Sequence, residues 1–334
     1  MLRLPVFDVA APDKLTDALR SLADSQAGAR PLGGGTDLLP NVKLGQTRMA
    51  MALLLRGVGE LRGIERRGDN LWLGAGNTLA QVAQDEQVRD ALPALAHAAS
   101  RVASPQIRNM ATLGGNLCLD TRCRYINQSE FWRQALGGCL KSHGSECHVV
   151  PGGQGCVAAL SSDTAPALIA YDATVEIASW RDEGVQTREV PLAELYDSDG
   201  TRHVRLESTE LLVGVRAPVP GLNVRVGHRK WAVRKSIDFP LISVALRLEL
   251  DGALAAGGKL VVGVLGPRPR VLDLKAFAGR ALAPDFARDL GQLAFDRCRP
   301  LPNVPYDAEY RRERLPVEVR RLALSLFGDQ AAQS

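Results

Sequence analysis

The residues of this 334-residue chain that can do chemistry fall into two groups, a cluster of cysteines and a pair of glycine-rich loops. Five of the six cysteines, Cys118, Cys123, Cys139, Cys147 and Cys156, lie within 39 residues, and only Cys298 stands apart. Thiolates gathered in this way suit a metal ion or an iron–sulfur cluster, since soft sulfur ligands select such centres. A disulfide framework is a poor fit for a chain of this length that opens on Met1-Leu2-Arg3-Leu4-Pro5, without the apolar run and cleavage site of a signal peptide. The spacing Cys123-x15-Cys139-x7-Cys147-x8-Cys156 matches no ferredoxin pattern and lacks the Cys-x-x-Cys pairs of structural zinc sites. Irregular spacing still allows four thiolates to surround a cubane, because loop closure costs grow slowly with length. Gly137-Gly138, Gly144, Gly152-Gly153 and Gly155 supply tight turns beside the sulfurs. Zinc held by Cys139, His143, Cys147 and His148 stays open as the rival arrangement, although it leaves Cys123 and Cys156 without a task.

The first glycine loop, Leu32-Gly33-Gly34-Gly35-Thr36-Asp37-Leu38, follows a strand and opens a helix. Glycine lets the backbone approach a phosphate closely and adopt positive φ, so that successive N–H groups converge on its oxygens. The loop is neither Gly-x-Gly-x-x-Gly nor a P-loop, and alone it reads more readily as a tight turn. A second loop, Arg108-Asn109-Met110-Ala111-Thr112-Leu113-Gly114-Gly115-Asn116, repeats the design. Two such loops on two αβ units can grip a dinucleotide between them.

The elements that must position these loops are legible from periodicity. Leu15, Ala18, Leu19 and Leu22 have the i, i+3, i+4, i+7 spacing of an amphipathic helix, which Ala27-Gly28 ends. Buried strands are expected at Ala29 to Leu32 and Met51 to Leu55. A strand pair around Ile64 and Leu71-Trp72-Leu73 turns at Gly68-Asp69-Asn70. Thr78 caps a helix, an alanine-rich helix runs from about Leu92 to Val102, and Ala173 to Ser179 alternates as a strand. Strands at 241–250 and 259–265 flank Asp251-Gly252, with helices following to residue 327. This divides the chain into units at 1–57, 58–219 (with the cysteine-rich insertion at 117–162) and 220–334. Apolar residues at 46% and charged residues at 23% give a foldable chain rather than a disordered one. A net charge of +4, with no Lys/Arg runs and no span of ~18 apolar residues, points away from nucleic acid and from membranes. A cytoplasmic protein is expected.

The two loops together resemble the FAD-binding loops of the medium, flavin-carrying subunit of xanthine oxidase-type molybdenum hydroxylases. The resemblance is colinear over nearly the whole chain. It extends to Ser162-Asp163, to Lys230-x-x-x-Arg234-x-x-x-Asp238 before a strand, and to Arg311 to Leu322 in a final helix. The fold it implies is α+β, a PCMH-type FAD-binding fold of two αβ subdomains followed by a C-terminal domain of the CO dehydrogenase flavoprotein type. Arg30, Pro31, Leu32, Gly33, Gly34, Gly35, Thr36 and Asp37 then surround the FAD pyrophosphate, so that Gly34→Val is expected to clash with it. Thr112, Gly115 and Asn116 meet the diphosphate and flavin side, and Val102 offers a backbone contact. Asp163 hydrogen-bonds the cofactor, Leu212 packs on it, and Lys230 approaches the isoalloxazine. Each of the last three has a plainer alternative: a helix cap for Asp163, a core position for Leu212 and a solvated surface lysine for Lys230.

Between Asn116 and Asp163 lie 46 residues where most members of that family have a short connection. The insertion resembles that of one subgroup, the beta subunits of 4-hydroxybenzoyl-CoA reductases, in which it holds a [4Fe–4S] cluster. The resemblance places the ligands at Cys123, Cys139, Cys147 and Cys156 and leaves Cys118 and Cys298 as small buried residues. It implies a chain without catalytic residues of its own, in a dimer of heterotrimers with a molybdenum-cofactor subunit and a subunit carrying two [2Fe–2S] clusters. Ferredoxin is the expected electron donor for reductive removal of a phenolic hydroxyl. An ordinary NAD-linked hydroxylase subunit with a zinc knob, and a non-catalytic FAD-binding assembly subunit, are the alternatives.

Overall fold

A computed structural model describes residues 3–24 and 28–327. The expected helix end at Ala27-Gly28 falls partly outside the described residues. Three sheets follow one another along the chain. The first is parallel, built from β1 (Asp8–Ala10), β2 (Ala29–Leu32) and β3 (Met51–Leu54) in the order β1-β3-β2. The helix α1 (Leu15–Asp24) crosses between β1 and β2 and buries Ala18, Leu19 and Leu22, the stripe expected from its spacing. The helix α2 (Leu38–Lys43) follows the first glycine loop.

The second unit holds β4 (Ile64–Arg67) and β5 (Asn70–Gly74), joined at Gly68-Asp69 with Arg67 opposite Asn70. Helices α3 (Leu79–Gln84), α4 (Glu86–Ala91), α5 (Pro93–Ser100), α6 (Pro105–Arg108) and α7 (Leu113–Leu117) come next. A reciprocal capping box between Thr78 and Gln81 starts α3. After the cysteine segment, with its helix α8 (Glu130–Ala135), come α9 (Thr164–Ala170), β6 (Thr174–Arg181), β7 (Gly184–Pro191) and β8 (Glu210–Pro218). The sheet is antiparallel in the order β4-β5-β8-β6-β7. The alanine-rich helix is shorter than expected, because Pro93 sets its first turn and it ends at Ser100.

The third sheet, also antiparallel, is β12-β11-β10-β9, from β9 (Val224–Trp231), β10 (Ile242–Asp251), β11 (Leu254–Gly263) and β12 (Arg270–Asp273). Helices α10 (Pro284–Arg297) and α11 (Ala308–Leu326) pack on it around Leu246, Leu248, Phe286, Leu290 and Leu315. Every residue of α9 is buried, since α9 lies between α5 and α7 of the second unit and strands β9 to β11 of the third. That helix is preceded directly by Asp163, so the residue sits at the joint between the two units.

The cysteine segment is tied down at several points rather than hanging free. Arg122 and Ala159 exchange backbone hydrogen bonds of 2.8 and 2.7 Å and close its base. The buried Arg133 donates to the carbonyls of Gln128, Leu44 and Gly45, which fastens α8 to the end of α2. Asn303 of the third unit donates to the Val157 carbonyl at 2.7 Å.

Candidate functional site

The two glycine loops form one floor. A Cβ on Gly34 would lie 1.8 Å from the Met110 carbonyl oxygen, and one on Gly33 would lie 2.6 Å from Thr112 Oγ1. Gly35 has φ of +69°, a conformation that glycine adopts without strain. The second loop is stitched to the start of α3: Leu113 N–H donates to the Asn77 carbonyl and Gly114 N–H to that of Ala75. Thr112 Oγ1 accepts from the Gly115 N–H at 3.1 Å and caps α7. Gly34 is therefore glycine at least because a protein backbone approaches it, so a side chain there meets the Met110 carbonyl before any cofactor is considered.

Both loops line a single open cleft of about 2620 Å³. Arg30, Pro31, Leu32, Gly33, Gly34, Gly35, Thr36, Asp37, Val102, Thr112, Gly115, Asn116, Asp163 and Leu212 all contribute to its wall. Lys230 does not. Its Nζ lies behind Asp163, donating to Asp163 Oδ2 at 2.9 Å and to the carbonyls of Arg101 (3.0 Å) and Asp238 (2.9 Å). Both side chains of this pair are almost fully buried, so Lys230 is no surface lysine. Asp163 occupies the N-cap position of α9 but makes no capping bond. Its second oxygen, Oδ1, is buried without a hydrogen-bond partner. Burial pushes the Asp163 carboxyl up to about 6, against the pull of Lys230.

Other expected contacts are already engaged within the chain. The Val102 carbonyl accepts from Arg108 Nη1 at 2.6 Å. Asn116 Oδ1 accepts from Ser162 Oγ and from the N–H and Oγ1 of Thr164, so it joins the two ends of the cysteine segment. Asp37 Oδ1 accepts from Arg122 Nη2 at 2.6 Å, and Asp37 Oδ2 from the Asp120 N–H and Asn41 Nδ2. Burial raises the Asp37 carboxyl above its ordinary range, while Arg122 and the Asp120 N–H pull it down. Leu212 is both a buried strand residue of β8 and a lining residue of the cleft, so its two readings are compatible.

Cys123, Cys139, Cys147 and Cys156 line one small cavity of about 20 Å³ with Tyr125, Ile126, Leu140, Lys141, His148, Val149, Val157 and Ala158. Four thiols and His148 line it without a carboxylate, a chemistry that suits a soft-ligand centre. Burial pushes the Cys156 thiol up to about 11, with the Lys141 charge opposing it. Lys141 Nζ donates to Asp120 Oδ1 at 2.6 Å and to the Gly200 carbonyl at 2.9 Å. Among the described residues, no three His, Cys, Asp or Glu side chains are grouped so as to hold a metal ion, so neither metal arrangement stands as a preformed ligand set. His148 Nε2 lies 2.6 Å from the Gly138 carbonyl oxygen, an arrangement that leaves the other ring nitrogen, Nδ1, without this partner. Cys118 lines the cleft instead, its thiol pushed up to about 12 by burial, and Cys298 is buried in the core of the third unit.

Sequence reasoning passed over Arg122, Ile126, Leu140, Lys141 and Phe239. The Arg122 guanidinium stacks 3.9 Å from the Phe239 ring centroid, and both residues line the cleft. Ile126, Leu140 and Lys141 line both the cleft and the thiol cavity. Their position within the insertion was the available signal, since residues between the clustered cysteines must face one side or the other.

Residues 5–220 match the model for the FAD binding domain in molybdopterin dehydrogenase. The chain is 32% identical over 269 residues to a xanthine dehydrogenase FAD-binding subunit of Escherichia coli O157:H7, covering 79% of this chain and 77% of that one. It is 34% identical over 250 residues to the FAD-binding subunit of an aldehyde oxidoreductase of Escherichia coli K12, covering 72% and 76%. A carbon monoxide dehydrogenase structure from Hydrogenophaga pseudoflava superposes with a TM-score of 0.76 at 21% identity, over 97% of this chain and 98% of that one, and shares its fold. No helix of the described residues is long and apolar enough to cross a membrane.

Proposed function

The chain belongs to the FAD-binding family of molybdopterin dehydrogenases, and on that footing we propose that it is an electron-relay subunit holding FAD in the cleft and a [4Fe–4S] cluster on Cys123, Cys139, Cys147 and Cys156. One observation carries the proposal: the cleft and the four-thiol cavity share a wall of Ile126, Leu140 and Lys141, so the two sites are neighbours. FAD exchanges one or two electrons and so suits an exchange point beside single-electron carriers. The chain's own part is to bind and orient. The Gly33–Gly35 backbone and the Thr112–Gly115 turn form the floor, Leu212 supplies an apolar wall, and Asp163 Oδ1 offers a buried acceptor for an N–H of the cofactor. Lys230 fixes Asp163 from behind.

The substrate would be handled by a molybdenum-cofactor subunit, with a small subunit carrying two [2Fe–2S] clusters between it and this chain, paired as a dimer of heterotrimers. The cysteine insertion favours reductive dehydroxylation of 4-hydroxybenzoyl-CoA. That reaction takes two electrons from ferredoxin and two protons, and gives benzoyl-CoA and water. Similarity to xanthine dehydrogenase and aldehyde oxidoreductase subunits favours a second reading, in which the same carriers take electrons outward from an oxidised substrate. The whole complex discriminates the two. Benzoyl-CoA formed from 4-hydroxybenzoyl-CoA and reduced ferredoxin supports the first; flavin bleaching by an aldehyde or a purine, with no turnover of the thioester, supports the second.

A further inference from the structure

We propose that Arg122, contributed by the cysteine insertion, binds the diphosphate of the dinucleotide in the cleft. The inference rests on the FAD reading of the cleft. Three observations place the guanidinium for this task. Its Nη2 is held at 2.6 Å by Oδ1 of Asp37, the residue that follows Gly33-Gly34-Gly35-Thr36 in the first glycine loop. Its flat face is fixed against the Phe239 ring. Its Nε is buried without any hydrogen-bond partner in the protein, although Arg122 lines the cleft. The backbone beneath it does not move freely, because the N–H and carbonyl of Arg122 both pair with Ala159.

The charges around the loop fit the same assignment. A carboxylate beside a diphosphate is repulsive on its own, and Asp37 is the only acid in the Gly33–Asp37 segment. Both of its oxygens are used by donors from within the chain: Arg122 on one, Asp120 N–H and Asn41 on the other. Asp37 thus acts as a positioning residue. It orients a planar fork whose Nε has no partner in the protein, and such a fork is the geometry in which arginine binds phosphate oxygens best. Arg122 lies only six residues past Asn116, so a segment devoted to cysteines also completes the flavin site.

The test is titration of the flavin-free protein, in its complex, with FAD and with riboflavin, which lacks the phosphates. Arg122→Gln should weaken FAD binding by roughly tenfold to a hundredfold, the range for losing a charged hydrogen bond, and leave riboflavin binding as in the parent. Arg122→Lys should recover part of the loss through its charge. Unchanged FAD affinity in Arg122→Gln, or an equal loss for FAD and riboflavin, would overturn the assignment, the second outcome marking a purely structural role. Failure of the parent protein to bind FAD at all would instead remove the cofactor reading on which the assignment stands.

Discussion

Gly34 and Met110 meet backbone to backbone: a Cβ on Gly34 would sit 1.8 Å from the Met110 carbonyl oxygen. Two loops more than 70 residues apart in sequence are thereby fused into one cofactor floor. Gly34→Val must push them apart, and overpacking of this kind costs about 1–3 kcal/mol. The variant should melt at a lower temperature and carry less than one FAD per chain. Gly59→Ala, where a Cβ meets nothing within 4 Å, should do neither. Full flavin content in Gly34→Val would show that the loops do not need this contact.

Lys230 and Asp163 form a buried pair in which removal of the lysine strands a carboxylate. Lys230→Met should cost about 3–5 kcal/mol at pH 8, the range for breaking a buried ion pair. The cost should shrink at pH 5, because Asp163 titrates at about 6 with its partner present and higher without it, so protonation relieves the unpaired charge. Denaturant unfolding at the two pH values checks this. An equal loss at both would mean that the pair is not what the substitution breaks.

If Asp163 contacts the cofactor, as proposed, it should also set the pH dependence of FAD binding. Its folded-state pKa of about 6 lies above the ordinary 3.8, so the flavin-free protein holds a proton that the unfolded chain releases between those values. Its stability should fall as pH rises through that window. FAD affinity should run the other way, since Oδ1 accepts an N–H of the cofactor best as a carboxylate: full above pH 6 and lost as pH drops below it. Fluorescence titrations between pH 5 and 8 should show this slope, and Asp163→Asn should flatten it. A slope of the opposite sign in the parent would contradict the contact.

Local order was legible in the sequence wherever spacing alone determines structure. The Leu15 to Leu22 stripe, the Gly68-Asp69 turn and the Thr78 cap all form as their residues dictate. The cleft-lining residues of the two loops were legible from their glycines, whereas Val102, Asp163 and Leu212 came only through the family resemblance. What stayed hidden depends on contacts between distant segments. Nothing near Lys230 announces that α9 will bring Asp163 against it from 67 residues away, and nothing near Gly34 announces Met110. A helix cap was the plainer alternative for Asp163 because Thr164 opens a helix, yet its side chain turns toward Lys230. Arg122 was passed over because the cysteines around it drew the chemical reading to themselves.

The central claim is that flavin and iron occupy two adjoining but separately built sites in one chain. Its most direct measurement is the iron, zinc and FAD content of the purified complex, for the parent and for Cys147→Ser and Cys118→Ser. Assay of this chain's own share is made after anaerobic separation of the subunits. The account predicts four irons and one FAD per chain in the parent and in Cys118→Ser, and in Cys147→Ser loss of the four irons with FAD retained. Zinc without iron in the parent, or four irons surviving in Cys147→Ser, would contradict it.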